Sequence, residues 1–60
     1  MSILEEIRGI GKARRLELLR RFGSIEGIRK ASIDEIAETK GINKDLAKLI
    51  SETLKISKNV

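Results

Sequence analysis

The tetrapeptide Gly9-Ile10-Gly11-Lys12 recurs 32 residues later as Gly41-Ile42-Asn43-Lys44. A glycine pair of this kind breaks a helix and lets a second one start at a sharp angle, because glycine accepts positive φ and close backbone approach. The same shift places Glu6 on Glu38, Arg8 on Lys40, Leu4 on Ile36, Leu18 on Ile50 and Phe22 on Leu54. The chain is therefore an internal repeat in which each copy reads helix, tight turn, helix. One copy is too small to bury its own apolar face. Two copies packed about a pseudo-twofold share a single core, which predicts a compact all-α bundle.

The flanking sequence supplies helix starts and stops. Ser2 with Glu5 predicts a capping box opening a short helix with Ile3, Leu4 and Ile7 inward. A second helix is predicted from about Lys12 to Phe22, with Leu18, Leu19 and Phe22 inward and Gly23 as its stop. Ser24 caps a short connector carrying Ile25 and Ile28. Ser32 with Glu35 predicts another capping box, followed by Ile33, Ile36 and Ala37 on an inner face. The last helix runs from about Lys44 to Leu54 or Ile56 and is expected to bury Leu46, Ala47, Leu49, Ile50 and Leu54, with Ser57 to Val60 frayed. No segment alternates as a strand does. The expected organisation is one domain over 1–60, with motif one at about 2–23, a connector at about 24–30 and motif two at about 32–56.

Composition narrows the function classes. The chain has 60 residues, ten of them isoleucine and seven leucine, with no cysteine and no histidine. Disulfides and the usual zinc sites are excluded, no cofactor motif is visible, and packing of aliphatic side chains must supply the stability. No apolar run is long enough to span a membrane, so a cytoplasmic protein is the expectation. Net charge is +4, and its placement is uneven. Residues 1–31 hold eight Lys/Arg against four acids, whereas residues 32–60 hold five against five. A basic first half suits a polyanionic partner.

The turns give that partner a chemistry. Ile10, between two glycines, is expected to point into the core and fix the turn. The amides of Gly11, Lys12 and Ala13 then open a helix with no intrahelical acceptor, at the positive end of its dipole. Backbone and helix start together make a phosphate site. Lys12 adds charge there, and Arg14 and Arg15 lie within a turn of it. Cations at a helix start oppose the dipole, so Arg8, Lys12, Arg14 and Arg15 with no acid among them are a poor choice for stability alone. In the second turn Asn43 replaces a glycine and is expected to cap an amide that a phosphate needs, and Asp45 repels anions. Lys40, Lys44 and Lys48 compensate in part. The plain alternative is a helix corner in which glycine serves geometry only. Two such turns at matched places, each followed by lysine, favour the phosphate reading.

Ile7-Arg8-Gly9-Ile10-Gly11, followed by Arg14-Arg15, Leu18-Leu19 and Phe22-Gly23-Ser24, resembles the helix-hairpin-helix family in its tandem two-motif form, as found in UvrC-type and XPF/Hef-type nucleases. Ala31-Ser32, Glu35-Ile36, Gly41-Ile42 and Leu46-Ala47 continue the likeness, which covers about residues 3–54. Lys12-Ala13 stand where the UvrC pattern usually carries Pro-Lys. The resemblance implies two helix-hairpin-helix motifs joined by a connector helix. It implies binding of DNA, duplex or at single-strand/double-strand junctions and bubbles, across the minor groove and without sequence specificity, in nucleotide excision repair. Carried onto this chain, the contacts come from Gly9, Gly11 and Lys12 in one motif and Gly41, Asn43 and Lys44 in the other.

Arg8, Gly9, Ile10, Gly11, Lys12, Ala13, Arg14 and Arg15, with Lys40, Gly41, Ile42, Asn43, Lys44 and Lys48, are thus the candidate DNA-binding residues. A rival reading is a protein-interaction module that forms a homo- or heterodimer through a similar domain, with Leu16, Ile56 or Val60 exposed to serve it. An enzyme is disfavoured: Glu5 and Glu35 have capping roles, Asp34 and Glu38 suit exposed faces, and no nucleophile has a base beside it.

Overall fold

The computed structural model describes residues 3–57, and they form five helical segments. A short 3₁₀ helix spans Ile3–Glu6, α1 spans Lys12–Phe22, α2 Ile25–Lys30, α3 Ile33–Ala37 and α4 Lys44–Ser57. Each boundary has a local cause. Gly23 takes φ +85° and its amide donates to the carbonyl of Leu19, which ends α1 with the left-handed residue that glycine supplies most cheaply. Ser24 accepts from the Gly27 amide at 3.0 Å and starts α2. Ser32 and Glu35 cap α3 reciprocally, with the Glu35 amide donating to Ser32 Oγ and the Ser32 amide to Glu35 Oε1.

The repeat is visible in backbone bonds. Ile7 N–H donates to Leu4 O and Ile10 N–H to Ile7 O; 32 residues on, Thr39 donates to Ile36 and Ile42 to Thr39, all at 3.0–3.1 Å. Arg15 donates to Gly11 O and, at the matching place, Ala47 donates to Asn43 O. Two hairpins of the same backbone design are thus present, and both contribute to one core. Leu4, Leu18, Ile28, Ile36, Ala47, Ile50 and Leu54 are fully buried in it. Ile10 and Ile42 are nearly so, as the sequence predicts for the apolar residue inside each turn. Arg29 ties the connector to the last helix, its Nε donating to Leu54 O at 3.1 Å.

Some expectations change. The short opening helix is a 3₁₀ helix, and its predicted Ser2 cap lies outside the described residues, as do residues 58–60. Glu5, whose cap partner Ser2 is thus not described, has its carboxylate 2.7 Å from Arg15 Nε. Leu49, expected inside, is 41% exposed. Ala47, Ile50 and Leu54 form the inward stripe of α4, and the elements that cover it, α2 and α3, have six and five residues. At ~100° per residue Leu49 stands about 160° round α4 from Ala47, on the face away from that stripe. Leu16 and Ile56 are exposed as expected, and Val60 lies outside the described residues.

Candidate nucleic-acid interface

In the first turn the positive φ falls on Gly9, at +95°. Gly11 is ordinary extended backbone, φ −98° and ψ −168°, and it is the N-cap of α1. Having no side chain, it caps nothing. The first bond of the helix is Arg15 N–H to Gly11 O, which leaves the amides of Lys12, Ala13 and Arg14 without intrahelical acceptors. Residues 11–14 are all exposed, and no acid occupies the first turn of α1. Nothing lies within 4 Å of where a Gly11 Cβ would stand, so a ligand has free approach.

The second turn repeats the geometry with one amide fewer. Gly41 takes φ +84°, matching Gly9. Asn43 Oδ1 accepts from the Leu46 amide at 2.8 Å. The amides of Lys44 and Asp45 remain open. Lys44 Nζ lies 3.8 Å from Asp34 Oδ1, with both side chains about four-fifths exposed, a pair of little strength. Asn43 does not adopt positive φ; no non-glycine residue described here does. Its tolerance of left-handed backbone is unused, and its capping oxygen explains its presence.

The cations divide into two groups. Arg8, Lys12, Lys40 and Lys48 are exposed and have no ion-pair partner among the described residues. The two arginines expected beside them are engaged. Arg15 sits against Glu5, close but without hydrogen-bond alignment. Arg14 donates from Nε to Gly41 O at 2.7 Å and from Nη1 to Gly9 O at 3.2 Å. Arg14 was legible as a basic residue near the turn, but its reach to the other motif was not. The signal was its counterpart in the repeat, Leu46, which breaks the like-for-like matching. An open hollow of about 420 Å³ lies between the turns, lined by Gly11, Ala13, Arg14, Glu17, Lys40 and Gly41. Glu17 is the acidic member that sequence reading did not place there.

Ile10 and Ile42 are buried beneath the turns, each 5% exposed, and hold the backbone there. Among the described residues no group of three or more His, Cys, Asp or Glu could hold a metal ion, and no helix is long and apolar enough to cross a membrane.

Comparison with known proteins agrees with this geometry. The family described as SAM-like helix-hairpin-helix tandem matches residues 1–55. UvrABC system protein C of Methanosphaera stadtmanae is 54% identical over 57 residues, covering 95% of this chain and 10% of that protein. The protein of the same name from Clostridium novyi is 55% identical over 49 residues, covering 82% of this chain and 8% of that protein. That from Francisella tularensis is 55% identical over 51 residues, covering 85% and 8%. The chain thus spans about a tenth of the length of the curated relatives it matches. No solved structure matches it.

Proposed function

This chain belongs to the SAM-like helix-hairpin-helix tandem family, and from that premise we propose that it is a DNA-binding module serving excision repair, one that holds phosphate backbone without reading base sequence. The observation that carries this reading is the open start of α1. Three exposed amides converge there at the positive end of a helix dipole, flanked by the unpaired Arg8 and Lys12. Arg8, Gly9, Gly11, Lys12 and Ala13 form the main anchor. Lys40, Gly41, Asn43, Lys44 and Lys48 form a second, weaker grip, because Asn43 fills one amide and Asp45 repels phosphate. Each hairpin holds one strand's backbone across a minor groove, and the unequal pair suits junctions or bubbles, where the two strands diverge. Any bond-breaking step in the longer relatives is assigned to other parts of their chains.

Phosphate contacts orient a protein on DNA and carry no sequence information directly, so exchanging base sequence is expected to change affinity little. The test is a titration of single-stranded, duplex and bubble DNA at several salt concentrations. Binding that weakens steeply with salt is the expected result. No binding to any of the three at low salt would sink the proposal. The exposed Leu16 and Ile56 favour a second reading, a dimerisation module. Sedimentation separates the two, since a DNA-independent dimer without DNA affinity supports only the second.

A further inference from the structure

Gly9 O and Gly41 O are equivalent atoms of the two motifs, related by the 32-residue shift. One side chain reaches both: Arg14 donates from Nη1 to the first at 3.2 Å and from Nε to the second at 2.7 Å. Its guanidinium therefore sits where the pseudo-twofold brings the hairpins face to face. Among the described residues no other donor is recorded at either carbonyl. The rigid planar fork of a guanidinium offers several donors in fixed directions, which suits two acceptors on separate chain segments.

The repeat itself explains why there is one such arginine. Its counterpart is Leu46. A Cβ built on Gly41 would stand 3.4 Å from Arg14 Nε, and one built on Gly9 would stand 3.4 Å from Leu46 Cδ1. Each left-handed glycine is thus covered by the third helical residue of the opposite motif, once by a cation and once by a hydrocarbon. Two arginines at these places would bring like charges together over the same pair of carbonyls. The axis has room for one, so the copies must differ here.

We infer that Arg14 is a positioning residue: by tying the Gly9 and Gly41 carbonyls together it fixes the span and angle between the hairpins, and it does not itself hold phosphate. The consequence for DNA rests on the binding reading above; the brace does not. Two grips on one duplex reinforce each other only while their separation matches that of the strands. Loosening the span weakens duplex binding, whereas a short single strand filling one hairpin is unaffected.

The experiment has a part that needs no variant. In the ¹⁵N-labelled protein, the Arg14 Nε–H is expected to exchange with water more slowly than that of Arg8, and to stay protected when duplex DNA is added. Exchange as fast as that of Arg8, or loss of protection on adding DNA, overturns the brace. The second part compares Arg14→Met, which keeps the stem and removes the donors, with Arg8→Met as the charge control. Arg14→Met is expected to weaken duplex binding about tenfold while changing short single-strand binding less than about twofold, as loss of simultaneous engagement requires. Arg8→Met is expected to weaken both alike. If Arg14→Met also weakens both alike, Arg14 is a phosphate contact and the inference fails. If Arg14→Met does not fold, the exchange measurement decides alone. A wild-type protein with a protected Arg14 and no DNA affinity would reject the binding reading and leave the brace standing.

Discussion

The two residues of each turn that look interchangeable in sequence are held to different standards by the backbone. Gly9 and Gly41 take positive φ and lie against a side chain of the other motif. Gly11 is extended and faces open space. The repeat carries this distinction: position 9 is matched by glycine, position 11 by Asn43, and only the first requirement is conformational. Alanine at Gly9 or Gly41 is therefore expected to cost about 1–3 kcal/mol, the range for non-glycine residues forced into rare backbone regions. Chemical denaturation measures it directly. Valine at Gly11 is expected to cost no more than about 1 kcal/mol, since nothing clashes and extended backbone suits it, although an apolar residue is a poorer N-cap than glycine. It does, however, place a branched side chain over the open amides. Its DNA affinity should fall further than that of Lys48→Gln. Equal losses in folded variants would reject the amide cradle. That Gly9 carried the strained conformation was legible only from the two turns together, because a lone Gly-x-Gly does not say which glycine turns.

At the level of elements, the short helices depend on contacts as tight as the turns. A Cβ on Gly27 would stand 2.1 Å from the carbonyl oxygen of Phe22, so α2 can cross the end of α1 only with glycine there. Gly27→Ala must move backbone, and overpacking of this kind costs about 1–3 kcal/mol. In a domain of this size 1 kcal/mol shifts the melting temperature by about 4–8 °C, so a fall of at least ~4 °C is the expected readout. The α3 capping box makes a separate claim about pH. Bonds from the Ser32 amide and hydroxyl hold the Glu35 carboxyl below its ordinary value of 4.5, with Arg21 adding a little in the same direction. A carboxyl lowered by folding stabilises the protein above its unfolded pKa, and that stabilisation is lost as pH falls through the lowered value. Ser32→Ala is expected to cost about 1 kcal/mol near neutrality and to make stability less dependent on pH below about 4.5. Thermal melts from pH 7 to pH 3 check it; alanine keeps the backbone amide that donates to Glu35, so the acid limb should flatten only in part, and an unchanged limb would assign the lowering to that amide alone. Ser32, Glu35 and Gly23 were legible because capping is a local matter. Leu49 was misjudged although its exposure is equally local: at ~100° per residue it stands about 160° round α4 from Ala47, on the face away from the buried stripe.

Across the whole molecule, the repeat sets the architecture and its departures set the chemistry of the two turns. Matching backbone bonds build two like hairpins, while Gly11 against Asn43 leaves three open amides at one helix start and two at the other, and Arg14 against Leu46 puts a single arginine on the axis. The doubled tetrapeptide made the fold legible, but no pattern along the chain showed which arginines are already engaged within the protein. That division fixes how binding should respond to salt. Arg8, Lys12, Lys40 and Lys48 are unpaired and exposed, and Lys44 is nearly so, whereas Arg14 and Arg15 are occupied. Each phosphate neutralised on duplex DNA contributes a slope of about −0.9 to log K against log salt, so four or five cations predict a total of about −4. Arg8→Met should make the slope shallower by about one unit. Arg14→Met should weaken duplex binding and also make the slope shallower, because a hairpin that no longer engages withdraws its cations from phosphate. Size sets the stoichiometry. The longest dimension, 28 Å, is shorter than one turn of duplex, about 34 Å or ten base pairs. A monomer gripping both strands should therefore saturate long duplex at one protein per ten base pairs or fewer, counted by fluorescence titration at low salt. A footprint of about twenty base pairs shared by two chains, seen as a two-to-one complex on a short duplex, would mean that the bound species is a dimer, and the two hairpins of one chain would no longer account for the hold on both strands.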